Sequence, residues 1–225
     1  MKNWILYEDN HIIIVNKPPR LPVQGDKTGD KTLIDLAKEY IKKRYNKPGN
    51  VYLGLPHRLD RPTSGIVILS KTSKSLSRIS ALFREKKISK QYWAIVKNQL
   101  DTDNGKLIHF LKKNRSKNKS FPSKEQKSGF LKAELEYLLR KKLKNYFLYE
   151  IKLITGRHHQ IRAQLSTMGS PIKGDVKYGA SRTNKNGSIH LHARKIEFIH
   201  PIKNEQIKII APPPNNDEIW KNCLK

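Results

Sequence analysis

Two short apolar runs open the chain, at residues 4–7 and 11–16, with the turn-forming Glu8-Asp9-Asn10 between them. The second run is rich in Ile and Val and is stopped by Lys17-Pro18-Pro19, so the pair predicts two strands. A loop over 21–30 follows, carrying Pro22, Gly25 and Gly29. From Thr32 the period changes. Leu33, Leu36, Ala37, Tyr40 and Ile41 fall on one helical stripe, behind a residue type that caps helices well. Asn46-Lys47-Pro48-Gly49-Asn50 ends that helix. Residues 51–55 lead into a charged loop around position 60, then into the apolar run 66–69, a predicted strand. A second helix starts at Thr72 or Ser73, with Leu76, Ile79, Leu82 and Phe83 on its apolar face.

Residues 90–97 alternate as a strand, with Tyr92, Ala94 and Val96 on one face and Trp93 and Ile95 on the other. Positions 112–129 break the pattern with a basic, polar run that has no period. They predict a solvated loop, or an arm that orders on RNA. Long strands are expected over 131–139 and 146–155, joined by the basic hairpin-like link 140–145. Gly156 frees the chain to turn into a helix over 157–168, which Gly169 ends. A Pro- and Gly-punctuated loop covers 170–187. Strands follow at 189–199 and 206–211, then Pro212-Pro213-Pro214 and a short terminal helix. No internal repeat or domain linker interrupts the 225 residues. Strands outnumber helices without regular βαβ alternation, so the expected class is α+β with a mixed or largely antiparallel sheet, in a single catalytic domain spanning 1–225.

Charge narrows the function. The chain carries 46 Lys and Arg against 19 Asp and Glu, a formal net charge of +27. Such an excess repels itself unless a polyanion is the partner, and nucleic acid is the leading one. A basic membrane-surface protein would need a long amphipathic basic helix, and none stands out. The single cysteine, Cys223, excludes a disulfide framework and any site of several thiolates, which suits a reducing cytoplasm. The N-terminus has no signal-peptide pattern, and no apolar run is long enough to span a bilayer.

The candidate chemistry centres on His57-Arg58-Leu59-Asp60-Arg61-Pro62-Thr63-Ser64-Gly65. One carboxylate sits among cations that favour its ionised form, on a loop that runs into a strand. An oriented carboxylate serves as nucleophile or base, although an Arg–Asp pair can also do no more than pin a turn. A second segment, Thr155-Gly156-Arg157-His158-His159-Gln160-Ile161-Arg162, strengthens the functional reading. On a helix, His158, Arg162 and Leu165 would share a face. Arg162 could then reach Asp60 as a bidentate partner. His158 and His159 cannot both face one ion from a helix and lack a zinc-binding spacing. Tyr92 is either a core aromatic or a base-stacking one. No phosphate-cradling or dinucleotide glycine motif occurs, and Ser64 is not in a nucleophile elbow.

Taken in order, these segments resemble the RluA-type family of RNA pseudouridine synthases. The resemblance is carried by 5–11 with Val15-Asn16-Lys17-Pro18, by the Asp60 motif, by 90–94, by 155–165, and by Gly174-Asp175, Tyr178-Gly179, Leu191-His192-Ala193 and His200-Pro201. It implies a pseudouridine synthase fold with a catalytic cleft across the sheet, and conversion of uridine to pseudouridine in structured ribosomal or transfer RNA. Asp60 would be the nucleophile, Tyr92 would pack on the uracil, and Arg162 would hold the Asp60 charge. Arg58 would enter the space left by the flipped nucleotide, and His57, Arg157, His159 and Gln160 would contact substrate. No cofactor or metal is implied, and the expected state is a monomer without an obligate protein partner. Two departures stand out. Many relatives carry a small RNA-binding domain before the first strand, and this sequence opens directly on the catalytic segments. Ala163-Gln164 stands where relatives often have Val-His, which implies altered packing or an altered supporting contact and not loss of activity.

Two other functions compete. A non-enzymatic RNA-binding module would keep the charge but need no Asp60, Tyr92 and Arg162 set. An RNA-cleaving enzyme using His57 and His159 would explain the charge but not the expected Asp60–Arg162 pairing.

Overall fold

The computed structural model describes residues 1–25 and 28–224, so positions 26 and 27 of the loop expected over 21–30 lie outside the described residues. The chain forms two compact units, each built from separate stretches. The first comprises Met1–Ile88 and Ala193–Pro213, and the second Ser89–His192 and Pro214–Lys225.

The first unit is built on β1 (Ile5–Glu8), β2 (Ile12–Lys17) and β3 (Ser64–Ser70), paired antiparallel in that order. Later in the chain come β9 (Leu191–Ile199) and β10 (Gln206–Ile210), also antiparallel. Every residue of β3 is buried, which is why its sequence reads as an unbroken apolar run and not as an alternation. Burying each of Ile66, Ile68 and Leu69 stabilises the fold by about 2 kcal/mol. Two helices complete the unit, α1 (Leu33–Arg44) and α2 (Ser73–Arg84). Each begins with a reciprocal cap, Thr32 with Asp35 and Thr72 with Ser75, an arrangement worth about 1 kcal/mol. Leu33, Ala37 and Ile41 of the α1 stripe are buried, as the 3.6-residue period requires.

The second unit has the antiparallel order β4-β8-β7-β5-β6: β4 (Ser89–Val96), β8 (Phe147–Leu153), β7 (Leu131–Lys142), β5 (Asn104–Asn114) and β6 (Lys119–Ser123). Helix α3 (Gln160–Thr167) packs Ile161 and Leu165 against Ala94, Leu107, Leu135 and Ile151. On the other side of β4, Ile95 and Trp93 meet Trp220 and Ile219 of α4 (Glu218–Leu224). The two-face reading of β4 therefore holds.

Two expectations need correction. The stretch 112–129, read as a basic loop, contains the end of β5 and all of β6, joined by a turn at 115–118. An edge strand needs only backbone pairing on one side, and lysines are tolerated there, so the apolar alternation that reveals a strand is missing. The helix read over 157–168 begins only at Gln160, because His159 adopts a left-handed backbone with φ of 53°. His158 and Arg157 are therefore not on the helix, and the expected face of His158, Arg162 and Leu165 does not form.

Candidate active site

In the first unit, the Asp60 turn is held at several points. Leu59 is buried and anchors the loop in the core, while Arg58 on one side of it is exposed and Asp60 on the other is half-buried. The Thr63 amide closes the turn on the Asp60 carbonyl at 3.0 Å. His57 Nε2 accepts the Ile68 amide of β3 at 2.9 Å, and its ring packs on Phe83 at 4.5 Å. An accepting Nε2 fixes that ring nitrogen as unprotonated, so His57 joins the loop to the sheet. The Arg61 guanidinium reaches back to Thr28, at 3.1 Å, and to Asp30. Gly65 is required for the strand that follows. It has φ of 113°, and a Cβ there would lie 2.5 Å from the Ala193 nitrogen and closer still to the Ala193 oxygen.

Beneath the turn lies Lys17, the last residue of β2 and 0% exposed. Its Nζ donates to the carbonyls of Pro18 (2.9 Å), Leu21 (2.9 Å) and Arg61 (3.2 Å), and the Arg61 carbonyl also accepts the Arg20 amide at 2.7 Å. Burial pulls the Lys17 ammonium down to about 7; the Asp60 carboxylate resists this and the Arg61 charge adds to it. The sequence reading gave Lys17 no role beyond ending a strand within a block shared with the family. The available signal was a lysine continuing a β-branched run, where a solvated side chain would have no room.

In the second unit, Tyr92 on β4 is half-buried at the margin of the cluster that contains Ala94, Ile161 and Leu165. Lys90, two positions earlier, is pushed down in pKa by burial. Gln160 is buried and structural in its contacts. Its Oε1 accepts from Thr155 Oγ1 (2.7 Å) and the Arg157 amide (2.9 Å), and its Nε2 donates to the Glu134 carbonyl at 3.1 Å. These bonds replace the backbone pairing lost where β8 ends, and they set the entry into α3. Arg157 is exposed and ties its Nε to the Lys132 carbonyl at 3.0 Å. His159 stacks on His158 at 3.7 Å, and its Nδ1 lies 3.0 Å from the Tyr178 hydroxyl.

Arg162 is only 5% exposed. Its Nε and Nη2 donate to the two oxygens of Asp175, at 2.7 and 2.9 Å, and its guanidinium lies 5.0 Å over the Tyr178 ring. A planar fork on a carboxylate fixes the plane of the guanidinium. Asp175 and Tyr178 were noticed only as parts of later sequence blocks. The signal for Asp175 was its isolation, since it is the only acidic residue between positions 151 and 196. Gln164, one of the two departures, donates from Nε2 to the Leu107 carbonyl at 3.1 Å and contacts buried His109. It thus links α3 to β5.

Within the first unit the structure gathers His57, Arg58 and Asp60 on one rigid turn; within the second it holds Tyr92, Arg157, His159, Gln160 and Arg162 on β4 and around the start of α3. Among the described residues no group of three His, Cys, Asp or Glu side chains is placed to hold a metal ion. No helix of the described residues is long and apolar enough to cross a membrane.

A family model described as RNA pseudouridylate synthase matches residues 11–167. The chain is 36% identical to the ribosomal large subunit pseudouridine synthase C of Buchnera aphidicola subsp. Baizongia pistaciae, covering 99% of this chain and 70% of that one. It is 32% identical to the protein of the same name from Rickettsia prowazekii, over 95% and 69% of the two chains. The solved structure of human RNA pseudouridylate synthase domain containing 4 superposes with a TM-score of 0.82 at 23% identity, covering 99% of this chain and 93% of that one. The sheet-based α+β fold and the sequence match along most of its length agree: the chain belongs to the RNA pseudouridylate synthase family.

Proposed function

We propose that this pseudouridine synthase modifies uridine in ribosomal RNA, with Asp60 as its catalytic nucleophile. As a member of the family it isomerises uridine to pseudouridine in RNA. The reaction is redox-neutral. The bond from ribose C1′ to uracil N1 breaks, the base rotates, a bond from C1′ to C5 forms, the C5 hydrogen leaves as a proton and N1 gains one. The protein must supply an anion, a pocket that retains the free uracil, and energy to flip the nucleotide out of its stack, a cost of a few kcal/mol.

The observation that carries the assignment is the Asp60 turn. Leu59, His57, the Thr63 amide and buried Lys17 fix its backbone, and Lys17 lies within electrostatic reach of the carboxylate. A carboxylate so held is poised for attack without reorganisation. Tyr92 packs on the uracil in this reading, and Arg162, its plane set by Asp175, serves the reaction as a fixed positive charge. Exposed Arg58 fills the gap left by the flipped nucleotide. Arg157 and His159 serve the RNA backbone nearby, while His57 and Gln160 act by positioning.

Ribosomal RNA is favoured over transfer RNA because the relatives above are named as ribosomal large subunit enzymes. Pseudouridine mapping of total RNA from cells with and without the gene tests this. The expected result is loss of one or more pseudouridines from large-subunit ribosomal RNA. Loss confined to transfer RNA would overturn the substrate assignment and leave the chemistry standing.

A further inference from the structure

In the second unit, β6, β5 and β7 present two different faces. Leu107, Leu111, Ala133 and Leu135 point towards α3 and are buried against it. Alternation puts Ile108, Phe110 and Lys112 on the opposite face. Cross-strand register places Phe121 directly beside Lys112, and Ser123 beside Phe110. Phe121 is 40% exposed and Ile108 46%. The Lys112 ammonium lies 5.8 Å over Phe130, and the Lys119 ammonium 5.8 Å over Phe121. Three of the chain's six phenylalanines thus fall within 21 residues, interleaved with lysines.

The charge is as uneven as the aromatics. Positions 112–132 hold eight Lys and Arg against one acid, Glu125. Lys132 is held by Glu134 at 2.9 Å. The other seven have no carboxylate partner among the described residues. A solvated face could explain cations alone, and a protein-docking face could explain apolar side chains alone. Exposed aromatic rings between uncompensated cations match a chain that offers both phosphates and π-faces, which is single-stranded nucleic acid.

We propose that this face, centred on Phe121 with Lys112 and Lys119, binds a single-stranded segment of the RNA substrate by base stacking and phosphate contacts. The proposal rests on the reading that the substrate is RNA, and it adds a second contact away from the reacting uridine. The hairpin is already ordered by its far side: the Ser120 amide donates to Tyr178 Oη at 2.8 Å, and Ser120 Oγ donates to the His158 carbonyl at 2.6 Å. Little ordering cost is therefore left for binding.

The test uses the full chain and a 12-nucleotide single-stranded RNA. In Phe121→Trp, stacking on a base quenches the new indole fluorescence, read against the wild-type background. Phe121→Ala should weaken affinity about tenfold, consistent with loss of one stacked base, and Phe121→Leu should weaken it nearly as much. Replacing Lys112, Lys119 and Lys124 with Ala should reduce the slope of log K against log salt by about 2. In tritium-release assays on ribosomal RNA, the Phe121 variants should raise KM and keep kcat. Absent quenching together with wild-type affinity in both Phe121→Ala and Phe121→Leu would overturn the proposal. So would an unchanged RNA affinity with loss of a protein partner. Stacking effects in a protein that releases no tritium from any RNA would instead sink the enzymatic reading and leave this surface intact.

Discussion

Lys17 and Arg162 are both buried cations, and the two units accommodate them in opposite ways. Lys17 makes its hydrogen bonds to three backbone carbonyls, with Asp60 felt only at a distance through charge. Arg162 has a carboxylate of its own, Asp175, in a two-point bond. The difference follows from the side chains. A guanidinium cannot shed its proton in a protein, so a buried one needs a counter-charge; an ammonium can respond to burial by losing its proton. The support beneath Asp60 is therefore sensitive to pH, whereas the Arg162 fork is not sensitive through its own titration.

The most severe way to break this contrast is Asp175→Asn. It takes the two-point carboxylate bond from a buried guanidinium and should cost about 3–5 kcal/mol of stability in urea unfolding. Combining Arg162→Met with Asp175→Leu should recover much of that stability, since an apolar pair of similar volume avoids the desolvation cost. It should not recover turnover, and recovered turnover would remove Arg162 from the chemistry. Lys17→Met should cost less, about 2 kcal/mol, because three carbonyls lose a donor but no charge is stranded. Its turnover should fall further than its RNA affinity.

The pH contrast is subtler. The folded-state value for Lys17, about 7, lies below its ordinary 10.5. Between these values the unfolded chain holds a proton that the folded chain has released. Unfolding free energy should then rise with pH above 7, by up to about 1.4 kcal/mol per unit from this group, and stay flat from it below 7. Lys17→Met should lose that rise, and an identical profile in the variant would refute the assignment. The smallest effect is expected in acid at Asp217. Burial pushes its carboxyl up, but His190 and the amides of Trp220 and Ile219 outweigh this and hold it at about 2. Its contribution is present above the ordinary value of 3.8 and is lost as pH falls towards 2. Asp217→Asn should flatten that part of the stability profile.

Much of the fold was legible because it is written in apolar periodicity. The α1 stripe, the unbroken β3 run and the two faces of β4 follow from spacing alone. Strand β6 and the lysine-bearing end of β5 that pairs with it were not legible, since an edge strand is specified by backbone pairing and here carries lysines. The start of α3 was placed three residues early because nothing in His158-His159 marks the left-handed turn that the Gln160 side chain sustains. At the candidate site, Asp60 was readable from its charged, turn-rich surroundings. Lys17 and Asp175 were not, because their roles lie in partners remote in sequence: the Arg61 carbonyl is 44 residues from Lys17, and Arg162 is 13 from Asp175.

The claim on which the rest depends is that the Asp60 carboxylate performs the chemistry. RNA carrying tritium at C5 of uridine tests it directly, because each isomerisation releases that hydrogen to water. The wild-type protein should release tritium, and Asp60→Asn should release none while keeping its fold and RNA affinity. Release by Asp60→Asn at the wild-type rate would contradict the assignment.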